Sequence, residues 1–164
     1  MKNLLKTLAL AALMLTLLAC GAVAEEPDAF TSASVADFYA ASALTGDDLM
    51  NAINSFSGFY IITTTNPDGS PNSAFFIYSM VKHEDKYYLQ LGLAENQSKA
   101  NLTANGNGLA VYAANPVAGE KEYAVSGARI WFEALEDEAL AAQLAANARP
   151  GAMFFKITAI RSLG

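Results

Sequence analysis

From Phe59 onward, short apolar runs rich in aromatic and β-branched residues alternate with polar turn clusters, a pattern that predicts strands. The first run, Phe59–Thr65, stops at Asn66-Pro67-Asp68-Gly69. Pro presets φ there and Gly accepts a positive φ, so a tight turn is expected. A strand over residues 72–81 returns antiparallel, and His83-Glu84-Asp85 makes the next turn. The third strand, 86–93, sets Tyr87, Leu89 and Leu91 on one face and Tyr88, Gln90 and Gly92 on the other. One of its two tyrosines is therefore expected in the core and the other exposed. A short helix over 98–105 stops at Asn105-Gly106-Asn107-Gly108, and 109–114 is the fourth strand. Beyond a loop at 115–121, residues 122–135 form a long fifth strand in which Gly127 predicts a bend or bulge. Asp137 caps a second helix that ends near Pro150, and 153–160 is the sixth strand.

Ahead of the strands, residues 35–56 read as helical. Leu49, Met50, Ile53 and Phe56 share a helix face, and Asp47 is a candidate cap. Thr45-Gly46 separates this piece from a shorter helix around Val35, Phe38 and Tyr39. The pattern gives a mainly β (α+β) domain, a six-stranded antiparallel barrel, closed or half-closed, with short flanking helices.

The N-terminus follows different rules. Lys2 and Lys6 precede an apolar core at 8–18 that is too short to span a bilayer comfortably, the form of a signal peptide over residues 1–19. Leu17-Leu18-Ala19-Cys20 resembles a bacterial lipobox, with Cys20 lipidated as the mature N-terminus. Ala22-Val23-Ala24 before Glu25 is an alternative cleavage site for ordinary secretion. Both readings take the domain out of the cytoplasm, and the first makes it a membrane-anchored lipoprotein. Residues 20–34 are small, polar and acidic, a tether, and 35–164 form the domain.

Composition narrows the chemistry. Loss of Lys2 and Lys6 takes the formal charge from −6 to −8, which argues against nucleic acid and against docking on anionic lipid by charge. One Cys and one His exclude a disulfide framework and a Cys/His zinc site, so no metal is expected. No Ser-His-Asp order, P-loop or G-x-G-x-x-G motif is present. The stretch with the most specific chemistry is Asn96-Gln97-Ser98-Lys99. A Ser at a helix start, the partial positive charge of the helix N-terminus and an adjacent Lys can together hold an anion. The same residues also read as an N-cap Ser followed by a solvated Lys. His83 reads as a solvated turn residue, Trp131 as core or interface packing, and the Glu133, Glu136, Asp137, Glu138 cluster as charge complementing a helix N-terminus.

The order of these elements resembles the pyridoxamine 5′-phosphate oxidase-like family of FMN-binding split barrels, over about residues 45–161. The resemblance rests on the helix before the first strand and on TTTNPDGSPNSAFF, NQSKANLTAN and YAVSGARIWFEALED. It implies a split barrel, a homodimer with FMN bound at the subunit interface, and flavin-dependent redox chemistry on a small molecule. It also implies cofactor contacts from Asn72, Ser73 and Ala74 on the second strand and from Asn96, Gln97, Ser98 and Lys99 at the helix start. No catalytic side chain is implied. The chain departs from the family pattern in lacking a basic residue at the start of the second strand, a charge that Arg129 could supply. The alternative function is a flavin- or haem-binding module without turnover, or a structural lipoprotein that has lost its cofactor.

Overall fold

A computed structural model of the protein describes residues 39–115 and 125–164. The signal peptide, Cys20, the tether and the helical positions Val35 and Phe38 lie outside these residues. The described part opens with a 3₁₀ turn at Ala40–Ser42, and then helix α1, Gly46–Asn54. Strands follow as β1 (Phe59–Thr65), β2 (Pro71–Phe75), β3 (Tyr78–His83) and β4 (Lys86–Leu91). Next come helix α2 (Gln97–Asn105), β5 (Asn107–Ala113), β6 (Gly127–Ala134), helix α3 (Glu138–Ala145) and β7 (Met153–Arg161). The fold is thus mainly β and antiparallel, as expected, with seven strands instead of six.

The extra strand comes from 72–81, which is two strands and not one. Phe76-Ile77 separates β2 from β3, and the two take opposite edges of a single sheet ordered β2-β1-β5-β6-β7-β4-β3. In a flat sheet those edges would stand about 29 Å apart, six spacings of about 4.8 Å. The three Cα–Cα steps from Phe75 to Tyr78 reach at most about 11 Å. The sheet therefore curls until its edges meet at one end, a barrel split between β2 and β3.

Helices cover both sides of the split. On α1, the Asn54 amide donates to the Met80 carbonyl at 2.8 Å and accepts from its N–H at 2.9 Å, so one side chain satisfies the backbone of the β3 edge. Asp47 does not cap this helix. Thr45 is the N-cap residue and contributes no side-chain bond. Asp47 instead accepts from the Tyr87 hydroxyl at 2.8 Å and from Lys82 at 3.0 Å. Tyr88 is the buried member of the tyrosine pair, and Tyr87 is half-buried.

Alternation along the strands places Tyr60, Ile62, Ala110, Tyr112, Ala128, Ile130 and Phe132 inside the barrel. Leu49 and Ile53 of α1 close the core. Tyr60 packs edge-on to Tyr78 and tilted against Tyr112, each pair at 5.2 Å. The Tyr60 hydroxyl donates to Ile53 O at 2.7 Å and that of Tyr112 to Ser57 O at 2.8 Å. The first pins the C-terminal end of α1, and the second pins the turn that follows it while also reaching Ala52 O at 3.1 Å. The Tyr78 hydroxyl has no partner among the described residues.

The alternate positions face outward. Cα pairing sets Phe75 beside Ile61, Ile61 beside Val111 and Val111 beside Arg129. A second row runs Ser73, Thr63, Leu109, Trp131, Ala159. Trp131 is half-exposed in that row, so it is not core, and the Arg129 guanidinium lies over its ring at 5.7 Å. Gly127 does not bend a strand interior. It begins β6, where a Cβ would collide with the Tyr112 carbonyl oxygen. The sheet irregularity falls instead between Trp131 and Phe132.

Candidate functional site

Helix α2 starts one residue earlier than its sequence pattern suggests, at Gln97, and its cap is Asn96, not Ser98. Asn96 Oδ1 accepts from the Lys99 N–H at 3.0 Å, which uses one of the orphan donors of the first turn. Gly106 closes the helix in the left-handed region, with φ of 69°, and its N–H reaches Leu102 O at 2.9 Å. The Lys99 ammonium is ion-paired with the Glu95 carboxylate.

Ser98 is turned inward and buried. Its Oγ accepts from Asn72 Nδ2 at 2.9 Å, and the same amide reaches Thr64 Oγ1 at 3.2 Å. Asn101, also buried, donates to Thr64 Oγ1 at 3.0 Å and to Asn66 Oδ1 at 2.9 Å. Its Oδ1 accepts from Gln97 Nε2 at 2.7 Å. Five side chains of β1, β2 and α2, joined by the turn residue Asn66, thus form one connected network, which continues through Asn66 to Ser70. Each buried polar atom in it is offset by a hydrogen bond.

The seven residues expected to contact a cofactor therefore divide. Asn72 meets Ser98 directly, and Gln97 joins the same network through Asn101. Asn96 serves the helix cap. Ser73 Oγ shares a hydrogen bond with Thr63 Oγ1 at 2.8 Å on the outer sheet face, and Ala74 pairs with Ile62. Lys99 lines an open groove that the other six do not.

That groove, about 830 Å³, lies between the start of β3, the end of β4, α2 and the turn that leads into β7. Phe56, Ile77 and Leu93 give it apolar walls, and Gln90, Lys99 and Arg149 supply polar groups. Phe56 and Ile77 are 62% and 66% exposed, unusual for side chains of that size. Arg149 makes no ion pair among the described residues. Arg129 does not line the groove. It is held on the outer face, where its Nε donates to Ser162 O at 2.7 Å.

Sequence reasoning missed Arg149, Gln90 and the apolar pair. Arg149-Pro150-Gly151 reads as an ordinary turn. The available signal was an Arg in the turn just ahead of the last strand.

The groove's volume falls within the range of small-molecule sites. Its two cations beside apolar walls suit a ligand that is anionic at one end and flat and apolar at the other. FMN fits that description. The Asn72–Ser98 pair does not suit its phosphate, because both groups are already spent on each other. Among the described residues, no His, Asp, Glu or Cys lines the groove.

No family model matches the chain, and no curated protein does. Solved structures share its fold. An FMN-binding protein from Syntrophomonas wolfei subsp. wolfei is 17% identical, over 72% of this chain and 85% of its own, with a TM-score of 0.51. A candidate pyridoxamine 5′-phosphate oxidase from Lactobacillus delbrueckii is 18% identical over 78% and 98%, with a TM-score of 0.47. A haem storage protein from Vibrio cholerae is 11% identical over 68% and 90%, with a TM-score of 0.44. The first of these shares the antiparallel split-barrel architecture.

Proposed function

We propose that the chain binds FMN in the groove between α2 and the turn before β7, and that the bound flavin passes electrons to or from a small molecule. The observation that carries this reading is the convergence of Lys99 and Arg149 on one groove with apolar walls. Arg149, and Lys99 on exchanging its exposed Glu95 partner, would hold the phosphate by charge-assisted hydrogen bonds. Phe56, Ile77 and Leu93 would flank the ring system, and Gln90 would offer its amide to a ring edge. The flavin supplies the redox chemistry when bound, and the protein supplies position and electrostatics. That division suits a groove lined, among the described residues, by no His or carboxylate side chain.

Two further parts of the proposal concern assembly and place. The protein is a homodimer, supported by Phe59, Phe75 and Ile77, which are 53%, 73% and 66% exposed. A second copy over these side chains would also wall the open side of the groove. The protein is exported and anchored through Cys20, supported by the basic and apolar N-terminal sequence.

Absorbance spectroscopy of the purified protein with added FMN tests the function. Retained yellow colour after gel filtration, bleached by NADH or dithionite, supports a flavoprotein. Colourless protein that takes up no FMN contradicts it. A dithionite-reduced flavin that no small acceptor reoxidises would assign a carrier without turnover.

A further inference from the structure

A second groove, about 520 Å³, lies at the opposite end of β4 and shares no lining residue with the first. It exists because two paired strands part. The β4–β7 ladder ends at Tyr88 opposite Lys156, while β7 continues to Arg161 beside β6. Where they part, β7 carries an extra residue. Trp131 pairs with Ala159 and Phe132 with Ile157, which leaves Thr158 opposite no residue of β6. Such bulges re-aim side chains and end pairing. The opening is floored by Tyr88, Ile157 and Ile160 and flanked by Leu135 and Leu140.

Charge at the rim is specific. Lys86 and Lys156 both line the opening. Lys86 makes no ion pair among the described residues. Lys156 pairs with Glu133 at 3.1 Å, and both side chains are 54% exposed, so that pair is weak and exchangeable. Asp137 also lines the groove, but its Oδ1 accepts the Leu140 N–H at 3.0 Å in the α3 cap. An apolar slot lined by Lys86 and Lys156 is locally complementary to an amphipathic anion, against the chain's overall negative charge.

We infer that this groove is a second binding site, for a small amphipathic carboxylate whose hydrocarbon body lies along Ile157, Ile160 and Leu140 and whose headgroup meets Lys86. The site is independent of flavin binding.

The probe is sodium decanoate, titrated calorimetrically into the full chain below its micelle concentration. The expected result is saturable binding of one decanoate per chain. Lys86→Glu and Leu140→Lys each weaken it by about tenfold or more, and decanol binds about tenfold more weakly than decanoate. Lys99→Ala, in the other groove, leaves it unchanged. Lys86 is exposed, so Lys86→Glu keeps the test valid even if Leu140→Lys fails to fold, which circular dichroism reports. Absent or unsaturable binding, an unchanged affinity in Lys86→Glu, equal affinity for decanol, or loss of binding in Lys99→Ala would overturn the site.

Discussion

Asn72 Nδ2 donates to Ser98 Oγ at 2.9 Å, which ties the second strand to the helix that follows the fourth. The contact gives a structural task to two residues whose types suggest ligand binding. Through Thr64 and Asn101 it becomes a clasp that holds α2 over the β1–β2 end of the barrel and so fixes where Lys99 stands.

The clasp should be graded in strength. Ser98→Ala removes one acceptor, but Asn72 keeps Thr64 as a partner, so the expected loss is about 1 kcal/mol. Asn101→Leu removes three hydrogen bonds and leaves buried polar partners short, so the expected loss is about 2–3 kcal/mol. Urea denaturation of both variants checks the order. Equal losses would mean that the network does not act as described.

The Asp47 site predicts a pH dependence. The Tyr87 hydroxyl, and after it the Lys82 ammonium, hold the Asp47 carboxyl below its ordinary value of 3.8. A carboxylate depressed in the folded state stabilises the fold above its unfolded pKa, and that contribution fades as pH falls through the folded value. Asp47→Asn should therefore be less stable than the parent at pH 6, with the gap closing below about pH 4. Denaturation midpoints across this range report the difference. A gap that widens in acid would reverse the assignment.

Tyr78 is the weak point of the core. Its hydroxyl is buried without a partner among the described residues, and burial pushes its pKa up, so it stays neutral. An unsatisfied buried polar group costs about 1–3 kcal/mol. Tyr78→Phe keeps the ring packing against Tyr60 and should raise the melting temperature. A clear drop in melting temperature would show that the hydroxyl is satisfied in solution.

Much of the barrel was legible along the chain. Phe59–Thr65 shows its strand and turn in full, and Asp137 caps α3 as its position suggests. The division of 72–81 was not legible, because Ser73-Ala74-Phe75-Phe76-Ile77-Tyr78 carries no Gly or Pro to mark a break. Barrel closure, a long-range constraint, imposes it. The site was legible only in part for a related reason. Sequence shows that Ser98 and Asn72 are polar, but not that they satisfy each other, and Thr64 meets Asn101 across 37 positions. Arg149 enters the groove through a turn whose residues look like any other.

In the proposed function, Lys99 and Arg149 hold the phosphate of FMN. Flavin-fluorescence titration of FMN against riboflavin, which lacks the phosphate, tests it most directly. FMN is expected to bind about 10- to 100-fold more tightly, as charge-assisted hydrogen bonds allow, and Lys99→Ala with Arg149→Ala to remove the preference. Equal affinity for the two flavins, or a preference that survives the double substitution, would contradict it.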